Sequence, residues 1–145
     1  MSAASSYLEV KLLAHTLTAT AFTQPSARYV AVFNNTSGNA LANLQNGTIT
    51  DEVSTSGSGY SRQIATFGTP TTTGTGNSAV TSASTNATIT FPTATGDWGT
   101  ITHIAIMDAA TSGNVLFFGA VSTAKQISTG DTFQITSGNL TVALA

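Results

Sequence analysis

The stretch ITHIAIMDAATSGNVLFFGAV (Ile101–Val121) decides the fold. Two runs, ITHIAIM and VLFFGAV, flank the polar connection DAATSGN, whose small and turn-forming residues favour a tight return of the chain. Successive side chains of a strand point to opposite faces, and in ITHIAIM both faces are apolar, one ending in Met107 and the other containing Ile106. Strands that are apolar on both faces are covered on both sides. The sequence therefore predicts a central hairpin, covered by a second sheet on one face and by a helix or a partner subunit on the other.

Outward from this hairpin, most of the chain reads as short strands. RYVAVF (Arg28–Phe33) and ATITFP are β-branched and aromatic. ITDEV with GYSRQIATF, and DTFQI with LTVAL, are each predicted to form a hairpin. We expect a mainly β, single-domain protein, with an antiparallel β-sandwich of about 8–9 short strands over residues 27–145.

Two segments interrupt this pattern. Residues 34–50 are polar and are predicted to form an exposed loop. Residues 68–86 are rich in threonine and low in complexity, which fits either a disordered linker or a pair of threonine-faced strands, with an edge strand near residues 77–81.

One helix is predicted, over residues 5–18. Ser6 and Glu9 have the spacing of a capping box, and Pro25 prevents continuation. The helix is amphipathic, and a helix of this length is marginal alone, so it must pack on its own sheet or on a neighbouring subunit. Its apolar face is Tyr7, Val10, Ala14 and Leu17, with Leu13 beside them; the candidate subunit or capsid interface is Tyr7, Leu8, Leu12 and Leu13.

Composition excludes several classes of protein. The chain has 145 residues, no cysteine and 7% charged residues, against about 25% in ordinary soluble domains. Disulfides and thiolate metal sites are excluded. The four basic residues are scattered, so no basic stripe exists for nucleic acid. No apolar run is long enough for a secretory signal or a membrane span, and no membrane partner is expected.

Motifs for chemistry are equally sparse. His15 and His103 lie far from each other and belong to no cluster with metal-ligand spacing, so no metal and no cofactor is expected. No Gly-x-Ser-x-Gly motif accompanies the serines, and the protein is predicted not to be an enzyme. Glu52 and Arg62 form a candidate structural ion pair across a short loop, and Trp98 is predicted to anchor the core.

Several segments together resemble a family of small bacteriophage virion proteins. The most specific are the Gly-Tyr-x-Arg run at Gly59–Arg62 and the run from Trp98-Gly99 through Ile-x-Asp-Ala to Ala109. The N-terminal helix with Leu12–Leu13, RYVAVF and the closing STGDTFQI and LTVAL segments extend the resemblance from about Tyr7 onward. Members are usually labelled tail fibre or virion protein, so the resemblance implies a component of a phage particle.

Three functions remain open on the sequence. A small, cysteine-free, weakly charged sandwich suits a capsid decoration or cement protein on the outer surface of the major capsid protein lattice, and this is the favoured hypothesis. Repeats or heptads typical of a fibre-forming chain are absent from the sequence, which leaves a tail, collar or fibre-associated adaptor as the alternative. A host-glycan-binding module is the third hypothesis, with Asp97 and Trp98 as its candidate pair. Expected partners are the major capsid protein or other virion proteins and further copies of this chain.

Overall fold

The computed structural model describes residues 3–144 and shows a mainly β chain, as predicted. Within those residues the helices are α1 (Ser6–Leu17) and α2 (Ala40–Gln45), with a 3₁₀ turn at Gly76–Ser78. The strands are β1 (Ala3–Ala4), β2 (Tyr29–Phe33), β3 (Gln63–Ile64), β4 (Thr71–Thr73), β5 (Val80–Ser84), β6 (Ile89–Thr90), β7 (Gly99–Met107), β8 (Val115–Ile127), β9 (Gln134–Ile135) and β10 (Thr141–Leu144). Met1, Ser2 and Ala145, which the predicted single domain includes, lie outside the described residues.

All strand pairs of the described residues are antiparallel. The main sheet has the order β1-β8-β7-β2-β3, and two smaller sheets have the orders β10-β5-β4 and β6-β9. The predicted central hairpin is the β7–β8 pair, in which Ala105 lies opposite Phe118. Its register shifts between Ile101 and His103, where β8 contains three extra residues.

The main sheet is covered on both faces, and β2 shows how. Val30 and Val32 belong to a cluster with Trp98, between the main sheet and the β6–β9 pair, whereas Phe33 belongs to the opposite face with Leu44 of α2. This alternation is the two-residue period of a strand. The second cover is therefore α2, which lies inside the segment 34–50 that was predicted to be an exposed loop; that prediction is wrong for Ala40–Gln45.

The N-cap of helix α1 lies one residue earlier than predicted. Ser5 is the N-cap, and its Oγ accepts a hydrogen bond from the Leu8 backbone N–H at 3.3 Å. Ser5 also donates its backbone N–H to the Leu116 carbonyl at 2.9 Å and its hydroxyl to the Val115 carbonyl. The buried cap thus fixes α1 to β8, and a capping box of Ser6 with Glu9 is not formed.

The two outer hairpins were predicted wrongly. Glu52 bridges to Phe33, and Ile64 pairs with Tyr29, so both halves of the first predicted hairpin lie along one edge of β2 and do not pair with each other. Strand β9 pairs with β6, and β10 pairs with β5, instead of with each other. Partners distant along the chain replace the adjacent ones because they bring apolar side chains together, as in the Ile89–Ile135 pair.

The threonine-rich segment 68–86 forms a strand pair, which was one of its two predicted structures. Thr71–Thr73 pairs with Val80–Ser84. The predicted edge strand near residues 77–81 covers part of the 3₁₀ turn and the start of β5, which is the central strand of its sheet; the edge strand is β4. No helix within residues 3–144 is long and apolar enough to cross a membrane.

Candidate functional site

Helix α1 is apolar on two sides, and only one of them is covered. Leu8 is buried against Ile106 and Leu116. On the opposite side, Val10, Leu13 and Leu17 follow the i, i+3, i+7 spacing of a single helical face, and their exposures are 64%, 59% and 76%. These three residues are called the outer stripe below. Such a stripe of large aliphatic side chains is the kind of surface that marks an interaction site.

Beside α1 lies an apolar groove, called the α1 groove below. It has a volume of about 380 Å³ and is open to solvent. Its walls come from α1, from the irregular segment 22–28, from the β5–β10 pair and from β7 and β8. Residues that line it include Leu12, Phe22, Arg28, Phe117, Val142 and Leu144.

The four residues predicted as an interface separate into two groups. Leu12 and Leu13 are exposed, at the groove and on the outer stripe respectively. Leu8 is a core residue, and Tyr7 is half-buried against the same cluster. Val10 and Leu17 belong to the predicted apolar face but were not assigned to the interface. Their helical spacing with Leu13 could have indicated that they share its exposed face.

Charge around α1 is limited to three side chains. Glu9 is exposed on the first turn of α1, and the Lys11 Nζ lies 5.6 Å from the centre of the Tyr7 ring. Arg28, on the groove wall, donates from Nη1 to the Pro25 carbonyl at 3.1 Å. The site therefore combines extensive apolar surface with one acid and two bases, which is a chemistry suited to protein contact.

Away from α1, Glu52 and Arg62 form the ion pair expected from the sequence. Arg62 Nε and Nη2 each lie 2.7 Å from a Glu52 carboxylate oxygen, in a bidentate pair whose side chains are 3% and 14% exposed. Arg62 Nη1 also donates to the carbonyls of Ala109 and Ser112, at 2.9 and 2.6 Å. The pair thus fixes the β7–β8 connection to the Glu52 edge of the main sheet.

Tyr60 extends this network into the core. Its hydroxyl accepts from the Val32 backbone N–H at 3.2 Å and donates to Glu52 Oε1 at 2.9 Å. Burial, together with the negative charge of Glu52, raises the pKa of Tyr60. Burial would lower the pKa of Arg62, but the hydrogen bond and charge of Glu52 outweigh it, so that pKa is raised. Tyr60 and Arg62 therefore keep fixed protonation states and serve structure.

Trp98 lies in the core and is 2% exposed. Its Nε1–H donates to the Ser58 carbonyl at 2.9 Å, and its ring meets those of Tyr60 and Phe91 edge to face. Stacking on a sugar requires an exposed aromatic face, so Trp98 cannot form a glycan site with Asp97. Asp97 instead accepts a hydrogen bond from the Thr129 backbone N–H.

Asp51 and His103 are also engaged in structure. Asp51 accepts hydrogen bonds from the backbone and side chain of Ser37 and from Asn43, which lower its pKa against the opposing effect of burial. Burial lowers the pKa of His103, and the charge of Asp51 partly opposes the shift. Within residues 3–144 no three metal-ligating side chains form a group.

No curated protein matches the sequence. Residues 3–143, nearly the whole chain, match the family Gp80, described as "Podophage GP4 fiber I protein gp80". That span contains α1, the outer stripe and every strand except the end of β10. The chain belongs to the Gp80 family of podophage fiber I proteins, and is a phage structural protein of the fibre type.

Proposed function

We propose that this chain is a non-enzymatic structural subunit of a phage fibre or of the structure that carries it, and that it attaches to a neighbouring virion subunit through α1. The observation that carries the proposal is the outer stripe, since three large aliphatic side chains of one helix are left to solvent. The α1 groove and Leu12 extend the same apolar surface.

Burial of this surface would supply useful binding energy. Together, the exposed fractions of Val10, Leu12, Leu13 and Leu17 amount to about two complete side chains. Complete burial of one such side chain contributes about 1.5–3 kcal/mol, so the helix alone offers roughly 3–6 kcal/mol. Few ions need to be dehydrated around it, because charged residues are 7% of the chain.

Membership of the fiber I family supports a fibre-type location, which the sequence hypotheses held as the alternative. Capsid decoration, the hypothesis that the sequence favoured, rests on size and low charge alone. Copy number distinguishes the two locations. Quantitative mass spectrometry of purified particles should give a ratio to the major capsid protein on the order of one hundredth for a fibre, whereas a ratio near one or one third would place the protein on the capsid lattice.

Incorporation into particles tests the attachment surface itself. We expect Leu12→Asp combined with Leu13→Asp to leave the fold intact, because both side chains are exposed, and to abolish incorporation when the variant complements a phage lacking the protein. Leu41→Asp is the matched control, since Leu41 is a similarly exposed leucine on α2. If the double variant is incorporated like wild type, α1 is not the attachment surface.

A further inference from the structure

We propose that the partner that covers α1 is a second copy of this chain, with the outer stripe of each copy against the α1 groove of the other and with Glu9 of each copy paired to Arg28 of the other. This inference rests on the proposed function and names the partner at that surface. Three observations lead to it: an acid without a partner, a base on the groove wall, and the position of both beside the same helix.

Glu9 differs from the other acids within residues 3–144. Five of the six carboxylates accept hydrogen bonds or pair with a base, and these are Asp51, Glu52, Asp97, Asp108 and Asp131. The Glu9 side chain is exposed and has neither kind of contact among these residues. It directly precedes Val10 of the outer stripe, so whatever covers the stripe also meets this carboxylate.

Arg28 is the complementary charge. It lines the α1 groove, and within residues 3–144 its guanidinium makes one hydrogen bond, from Nη1 to the Pro25 carbonyl. Nε and Nη2 are left for a ligand. A guanidinium with free donors binds a carboxylate in preference to a neutral group. The groove therefore fits an apolar helix that carries an acid at its edge, which is the description of α1 itself.

Geometry favours a closed pair over an open series. Helix α1 forms both the outer stripe and one wall of the groove, so a copy that places its stripe in the groove brings its own groove next to the stripe of the first. A twofold axis then forms both contacts at once, which is the isologous arrangement of most dimers. Each apolar contact and the Glu9–Arg28 pair then occur twice in the dimer, which increases the buried area towards the roughly 800 Å² per partner of a specific interface.

Charge reversal tests the pairing in trans by sedimentation velocity of the purified full-length chain. Wild type should be a dimer at micromolar concentration. Glu9→Arg and Arg28→Glu should each be monomeric at the same concentration, with at least a tenfold weaker association, because each creates a like-charge contact. An equimolar mixture of the two variants should form dimers again, since every contact in the mixed pair joins an acid to a base. Lys125→Glu, an exposed cation on β8 that does not line the groove, should remain dimeric.

The mixture makes the outcome decisive. A misfolded variant would fail in the mixture as well, so circular dichroism and the unfolding temperature of each variant are measured alongside. A monomeric wild type, an open-ended series of oligomers, or a mixture that stays monomeric would each overturn the inference. Particle incorporation is measured separately: a chain that enters particles but does not pair with itself would refute this inference alone, whereas a chain absent from particles would refute the proposed function.

Discussion

Replacement of Arg62 by leucine should strongly destabilise the protein. The side chain is 3% exposed, and its fork holds both Glu52 oxygens and the carbonyls of Ala109 and Ser112. Arg62→Leu leaves a largely buried carboxylate without its counter-charge and two carbonyls without their donor. Removal of one partner of a buried ion pair costs about 3–5 kcal/mol, so we expect the free energy of unfolding to fall by that amount.

The double variant Glu52→Leu with Arg62→Leu separates the charge effect from the loss of packing. No uncompensated charge remains, so it should be more stable than Arg62→Leu alone. It should not reach wild type, because the loop carbonyls still lack a donor and the Tyr60 O–H loses its acceptor, Glu52. Unsatisfied buried polar groups cost about 1–3 kcal/mol each.

Urea unfolding followed by fluorescence provides the measurement. Trp98 is the only tryptophan, and it packs against Tyr60, which bonds Glu52, so its emission reports this region. In a domain of this size about 1 kcal/mol corresponds to a change in Tm of ~2–4 °C, and Arg62→Leu should lower Tm by about 6–20 °C. A loss of stability below about 1 kcal/mol, or a double variant no more stable than the single one, would refute this reasoning.

Three further changes test other parts of the fold. Hydrogen bonds from Ser37 hold the pKa of Asp51 below its ordinary value of 3.8, so the unfolded chain binds more protons and this contribution to stability should be lost as the pH falls below about 4. Asp51→Asn should therefore be less stable than wild type at pH 7 but should lose less of its free energy of unfolding between pH 7 and pH 3. Equal losses for the two proteins in urea titrations at these pH values would contradict this. Gly113→Ala should lower stability by about 1–3 kcal/mol, because φ is +73° and a Cβ would lie 2.7 Å from that of Ala109; an unchanged Tm would be evidence against it. Leu44→Ala should lower the free energy of unfolding by about 2–5 kcal/mol, since Leu44 is fully buried on α2. Almost unchanged stability would show that residue 44 is exposed, as in a loop.

The central hairpin was predictable because its signal is local. ITHIAIM is a short run that is apolar on both faces, as a buried central strand requires, and the turn that follows has the residues a turn requires. Helix α2 lacks such a signal. Its segment NNTSGNALANLQNGT offers only Ala40 and Leu44 to the core, and the segment is held in place by Asp51, whose carboxylate binds Ser37 and Asn43. A helix that depends on a buried acid elsewhere in the chain is fixed by tertiary contacts, which propensity does not describe.

The wrongly predicted hairpin has a comparable cause. Adjacent strands usually pair, and the loop STSGS is a normal hairpin connection. Here the connection instead enters the core: the Ser58 carbonyl accepts from Trp98, and the Tyr60 hydroxyl bonds the Val32 backbone. These contacts prevent residues 54–62 from forming a tight hairpin turn. Glu52 and Ile64 therefore pair with β2 at separate places along one edge.

Part of the candidate site was also accessible from the sequence. Helical spacing alone identifies an apolar face on α1, and Leu12 and Leu13 are exposed as an interface would require. The spacing could not show that Leu8 faces inward, because either apolar side of the helix could pack on the sheet. Nor could it show which charges are already paired. Only the structure shows that Glu9 has no partner within residues 3–144 and that Arg28 lies on the groove wall.

The distribution of charge connects the fold to its proposed assembly. Within residues 3–144, one buried ion pair fixes the β7–β8 connection, and Asp97, Asp108 and Asp131 accept backbone N–H groups at turns. These acids serve the subunit itself. The Glu9 carboxylate has no such contact among these residues, the Arg28 guanidinium has one hydrogen bond to the Pro25 carbonyl, and both side chains adjoin the apolar surface of α1. Apolar burial would then supply most of the affinity, and salt has little effect on apolar burial. The two charges would fix the orientation of the partner. Raising the salt concentration should therefore weaken dimers only modestly, and a collapse of association at about 0.5 M salt would show that charge, not the outer stripe, holds the copies together.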